Sequence, residues 1–152
     1  MIATLVAQGR IDMGVVVAAV DIETMFDDAE RHLRSADLLK ASDPKLAYSG
    51  MYDGVRKALT ATLERQGLRV RGGEGSHYVV YQAIRAQVGP NAARIVDPFN
   101  RMRQRRHEVQ YDSSSRIVEA DLDEDLPKAR QIVRNIRTFA ARLGRWEHPS
   151  EE

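Results

Sequence analysis

Apolar residues in this chain recur three and four positions apart, and nowhere do they alternate with period two for long enough to build a sheet. Ile22, Met25, Phe26, Ala29, Leu33, Ala36 and Leu39 form one such stripe, with Asp21 placed as its cap and Glu23 in its first turn. Ser42-Asp43-Pro44 is a clean restart, because a capping side chain precedes a proline whose missing N–H is harmless at the first helical position. From Leu46 to Gln66 the apolar face carries Tyr48, Tyr52, Val55, Leu59 and Leu63. Ala47, Met51, Ala58 and Ala61 widen it, as expected of a helix packed on two sides. Gly67 ends that helix.

A third helix is expected from about Ser76 to Val88, stopped by Gly89-Pro90. A fourth runs from near Asn91 to about Asp112, and the Asp97-Pro98 pair inside it requires either a kink or two short helices. Asp112 to Ser115 reads as a loop. The last helix, about Asp121 to Leu143, places Asp121, Asp123, Glu124 and Asp125 first and Arg130, Arg134, Arg137 and Arg142 later, in the sense the helix macrodipole favours. The fold expected is all-α: one up-down bundle of four to five main helices over residues 21–145, preceded by an arm (1–20) and followed by a frayed tail (146–152). The arm is ambiguous, since Ile2, Leu5 and Val6 could start a short helix while Gly14 to Val17 is β-prone; an irregular arm packed on the body is the preferred reading.

Composition removes several classes of function. The 152 residues carry 23 Lys and Arg against 22 Asp and Glu, a net charge of +1, so nucleic acid has to be held by a local cluster rather than by bulk charge. Without cysteine there is no disulfide, thiolate metal site or thiol nucleophile. The four histidines, His32, His77, His107 and His148, have no short metal-ligand spacing, and no metal or other cofactor is expected. The longest apolar run, Met13 to Val20, is too short to span a bilayer, and the opening residues lack a signal-peptide pattern. A soluble, cytoplasmic protein without membrane contact is expected. The loop holding Gly72, Gly73 and Gly75 lacks the Gly-Lys-Ser/Thr ending of a phosphate loop.

The densest chemistry lies in Arg101 to Tyr111, with four arginines, a histidine and a tyrosine. On a helix, Ile95, Phe99, Met102 and Val109 define the buried side, while Arg103, His107 and Tyr111 align at i, i+4 and i+8 on another face. Arg106 falls near the apolar stripe, which suits a packed stem and a head paired with a carboxylate. Guanidinium groups bind phosphate bidentately, an imidazole moves protons at an RNA 2′-hydroxyl, and a tyrosine stacks on a base. The plainer alternative is a solvated, salt-bridged helix face with an exposed His107. Elsewhere, His77 beside Tyr78 and Tyr81 reads as a cap or core-edge residue, and His32 as exposed. Asp53 and Arg56 suit bracing of the motif arginines, and Asp121 to Asp125 suit an acidic helix start.

Several stretches, taken in order, resemble the HEPN superfamily. These are Ala29-Glu30-Arg31-His32-Leu33-Arg34-Ser35-Ala36, Ala47-Tyr48 with Tyr52-Asp53 and Arg56-Lys57-Ala58, Gly67-Leu68-Arg69 before the glycine loop with Ser76-His77, and the late Arg-Arg-His-Glu-Val-Gln-Tyr. The resemblance covers roughly residues 21–143. It implies a helical bundle, commonly a symmetric homodimer, whose hallmark is Arg, four to six residues, then His. Active members are metal-independent ribonucleases, often toxins paired with a nucleotidyltransferase-type antitoxin. In one register Arg101 and His107 satisfy the hallmark, but they lie about 120° apart on a straight helix, so a bend or a dimer groove has to unite them. In a second register Arg106-His107 matches the Arg-Asn pair that often opens the motif, and Tyr111 stands where the catalytic histidine would be, leaving nuclease activity impaired or absent.

The first register is preferred for the site: Arg101 and His107 catalytic, with Arg103, Arg105, Arg106 and Tyr111 binding RNA or phosphate. The function expected is that of a metal-independent endoribonuclease on single-stranded RNA, the toxin of a toxin–antitoxin system. The alternative is an inactive HEPN module binding RNA, a nucleotide or a nucleotidyltransferase-type partner. A third reading is a helical scaffold whose arginines only pair with carboxylates across a dimer.

Overall fold

The computed structural model describes residues 1–112 and 114–150. Its elements in chain order are α1 (Ile2–Ala7), β1 (Ile11–Asp12), α2 (Ala19–Leu39), α3 (Pro44–Arg65), β2 (Arg69–Val70), α4 (Ser76–Arg85), α5 (Pro90–Val96), α6 (Pro98–Tyr111) and α7 (Glu119–Ala140). The class is all-α, with one two-stranded ribbon among the described residues. Among the described residues no helix is long and apolar enough to cross a membrane.

The restart at Asp43 is built as its residue types require: the Asp43 carboxylate accepts from the Leu46 N–H at 3.1 Å, and Pro44 takes the first helical position. The α3 that follows is the central helix, buried along its length through Tyr48, Met51, Tyr52, Val55, Leu59 and Leu63. It packs against α2, α4, α6 and α7. The α7 helix lays Leu122, Leu126, Ala129, Val133, Ile136 and Ala140 onto that core, three and four residues apart. Arg137 clamps α7 to α2, meeting Glu23 at 2.7 Å, Asp27 at 3.0 Å and Glu30 at 3.2 Å.

Some boundaries differ from the sequence reading. The α2 helix begins at Ala19, with Ala18 at the N-cap and no capping side chain, so Asp21 lies inside the first turn, where a carboxylate still favours the positive end of the dipole. The Asp97-Pro98 pair separates two helices. Pro98 has no N–H to continue α5, and it opens α6. The arm is more ordered than an irregular segment. Ile2, Leu5 and Ile11 are buried in the core, and β1 pairs antiparallel with β2, Ile11 opposite Val70 and Asp12 opposite Arg69. At the other end the Trp146 N–H donates to the Gln66 carbonyl at 2.9 Å. The loop residue Ser113 and the last two positions of the expected tail lie outside the described residues.

Candidate functional site

Only Phe99 and Met102 are buried on α6, which leaves most of its circumference to polar side chains. Arg103, Arg106, His107, Gln110 and Tyr111 face a cleft of about 250 Å³ whose far wall is Tyr52 of α3 and the segment from Gly73 to Tyr78. The wall opposite α6 is set by the glycine turn: Gly75 has φ +76°, a left-handed conformation that delivers the chain into α4 with Ser76 and His77 at the cleft edge.

Each cleft arginine is held from behind. Both Nε and Nη2 of Arg103 donate to Asn100 Oδ1, at 3.1 and 3.0 Å, and its guanidinium lies 5.1 Å from the Tyr78 ring centre. Arg106 lies 4.9 Å over the Tyr52 ring and 3.8 Å from Asp53, which also stands 3.7 Å from Arg56. Tyr52 is fully buried, stacked on Phe99 with ring centres 5.2 Å apart and planes at 6°. Its hydroxyl meets Nδ1 of His77 at 2.8 Å. Burial pushes the Tyr52 phenol up to about 12, against the opposing pull of Arg106, Arg56 and Arg103. Burial and then the charges of Arg56 and Arg106 lower His77 below the ordinary imidazole value, which favours its neutral form. The His107 and Tyr111 rings lie 4.5 Å apart on the outer lip, and Tyr111 is 74% exposed.

Arg101 and Arg105 are not in this cleft. They line a separate depression on the α7 side of α6, with Tyr48, Gln104, Glu108, Asp125 and Lys128. Arg105 is engaged with Asp121 at 3.3 Å and Asp125 at 3.4 Å, while the Tyr48 hydroxyl donates to Asp125 at 2.8 Å. Because α6 is continuous from Pro98 to Tyr111, Arg101 and His107 stay on different flanks within one chain. The fold thus unites Arg103, Arg106, His107 and Tyr111, and it separates Arg101 and Arg105 from them.

Two cleft residues were read from the sequence as structural, Tyr52 as part of an apolar stripe and His77 as a cap or core-edge residue. Tyr52 sits on the apolar stripe of α3, and nothing in periodicity says that a core ring directs its hydroxyl to a functional edge. His77 follows a glycine loop, so its partner 25 residues earlier becomes visible only in three dimensions. Among the described residues no three His, Asp or Glu side chains are close enough to hold a metal ion. Compared with protein-family models, curated proteins and solved structures, the chain gives no match to any of them.

Proposed function

We propose that this chain is a HEPN-like endoribonuclease that cleaves single-stranded RNA without a metal ion, as the toxin of a toxin–antitoxin pair. The observation that carries the proposal is the convergence of Arg103, Arg106, His107 and Tyr111 on one cleft against Tyr52 and His77. In this reading Arg103 and Arg106 grip the scissile phosphate and offset the charge that grows on its oxygens. Their backing by Asn100, Tyr78 and Tyr52 lowers the entropy lost on gripping. His107 transfers protons, and the exposed face of Tyr111 stacks on a base. A symmetric homodimer, as the HEPN resemblance implies, supplies a way for Arg101 of one protomer to approach His107 of the other. The antitoxin on this reading is a nucleotidyltransferase-type protein, and the compartment is the cytoplasm.

Purified protein should cleave single-stranded RNA in EDTA and leave a cyclic phosphate end. His107→Ala should reduce the rate by roughly 10²–10⁴-fold, the usual weight of acid–base catalysis. Undiminished cleavage by that variant would remove His107 from the mechanism. A second reading, an inactive HEPN module that binds RNA, a nucleotide or a partner, is favoured by one observation: Arg101 lies on the opposite flank of α6 from His107. It predicts tight RNA binding with no cleavage at long times.

A further inference from the structure

The cleft contains a second imidazole that the proposed reaction has not used. His77 enters it from the first turn of α4, on the wall facing α6, whereas His107 enters from α6 itself. Its Nδ1 is occupied by the Tyr52 hydroxyl at 2.8 Å, and among the described residues no group bonds Nε2. The Tyr52 ring that holds it is pinned between Phe99 and the Arg106 guanidinium, so the imidazole is anchored to the same framework that positions the phosphate-binding arginine. Arg103 and Arg106 line the same cleft as the two imidazoles.

We propose that His77 is the general base and His107 the general acid of the RNA cleavage proposed above, with Tyr52 as the positioning residue for His77. The inference rests on that reading. A hydroxyl both donates and accepts, so Tyr52 can accept Nδ1–H and leave the Nε2 lone pair toward the substrate. Nε2 removes the proton of the 2′-hydroxyl as the 2′-oxygen forms its bond to phosphorus. The bond from phosphorus to the 5′-oxygen breaks, and that oxygen takes its proton from His107, which starts the cycle protonated. The products are a 2′,3′-cyclic phosphate and a 5′-hydroxyl. The two imidazoles then return to their starting states by exchanging one proton through water, and no oxidant, reductant or co-reactant is needed.

The charges facing His77 agree with the direction of transfer. Arg56 and Asp53 of α3 and Arg103 and Arg106 of α6 surround it, together with His107, Tyr52, Tyr78 and the loop residue Glu74. The arginines disfavour its protonated form in the free protein. A bound phosphodiester offsets them, so substrate binding makes His77 a better proton acceptor. Since His77 has to be neutral to act, cleavage should fall as the pH drops through its own titration.

The test uses the 152-residue chain and two single-stranded RNA substrates, one natural and one with sulfur replacing the 5′-bridging oxygen at a single linkage. The sulfur leaves without protonation. His107→Gln should lose roughly 10²–10⁴-fold on the natural RNA and recover on the sulfur substrate, whereas His77→Gln should lose a similar factor on both. A His77→Gln variant that cleaves at the wild-type rate, or that the sulfur substrate rescues, overturns the assignment. A wild-type protein that cleaves neither substrate removes the ribonuclease reading itself, and this inference with it. As a guard against a folding defect, the His77 ring of the unaltered protein is titrated by NMR with and without a 2′-deoxy oligonucleotide, which cannot be cleaved. The titration should move to higher pH on binding; an unmoved His77 would overturn the proposal. Tyr52→Phe keeps the stacked ring and should shift the acid limb of the rate–pH profile, a change that loss of packing alone would not produce.

Discussion

At the scale of single residues, Arg105 and Arg106 are chain neighbours with opposite duties. About 100° of helix rotation turns Arg105 toward the acidic start of α7 and Arg106 toward Tyr52. Arg105 faces a carboxylate, Asp125, that is only 9% exposed and already bonded to Tyr48. Removing the arginine leaves that buried charge short of a partner, so Arg105→Ala should cost about 1–3 kcal/mol in chemical denaturation and leave RNA affinity nearly unchanged. Arg106→Ala should do the reverse. Affinity for single-stranded RNA should fall, and the slope of log K against log salt should become shallower by about 0.7, the contribution of one phosphate contact. Equal effects of the two substitutions on RNA binding would dissolve the division between the flanks of α6. The division itself was half legible. The alignment of Arg103, His107 and Tyr111 followed from helical spacing, but the engagement of Arg105 required knowing that α7 lies beside it.

At the scale of elements, the site depends on how closely α2 and α3 approach. Gly54 is the contact point: a β-carbon there would stand 2.9 Å from His32 Cβ and 3.0 Å from the Ala29 carbonyl oxygen. Neither obstacle is the far end of a flexible side chain, so the helices would have to separate. Gly54→Ala should therefore destabilise the protein by about 1–3 kcal/mol despite alanine's better helix propensity, as read from a urea midpoint at unchanged slope. A gain in stability would show that the two helices shift apart without loss. Immediately before Gly54 the same α3 sets Tyr52 on the cleft wall and Asp53 beside Arg106, so a displaced α3 should also weaken the hold on Arg106. The α6 helix is the contrasting element. It buries little of itself, and its orientation is set by Phe99 and Met102 near its start.

For the whole molecule, a net charge of +1 means that attraction for a polyanion is local. The cleft supplies Arg103 and Arg106, and the opposite flank supplies Arg101. If a twofold axis completes the proposed site by bringing Arg101 of one protomer to His107 of the other, the two inactive variants should complement. After mixing Arg101→Ala with His107→Ala under conditions that exchange protomers, half of the dimers would be mixed, each with one intact site. Cleavage should return to about a quarter of the wild-type rate. No recovery, with exchange verified by mass spectrometry, would place the whole site within one chain.

The helical class, and the restart at Asp43-Pro44, are written in the local order of residues. Periodicity and the Asp43-Pro44 start are local properties, decided by a residue and its near neighbours, whereas Asp97-Pro98 marked an interruption that a kink or two helices would satisfy equally. Local order also determined which side chains of Arg101 to Tyr111 share a helix face, because that geometry is internal to one helix. Only the tertiary structure decided which face meets which partner. It aimed Arg105 at Asp121 and Asp125, laid Arg106 over Tyr52, and brought His77 to within 2.8 Å of the Tyr52 hydroxyl across 25 residues of chain. It also drew the first twelve residues into the core and a short ribbon, where the local pattern spoke only of an arm. The physical reason is the same in each instance: a contact between distant segments depends on packing the core, and a single segment carries no record of the surface that will be placed against it.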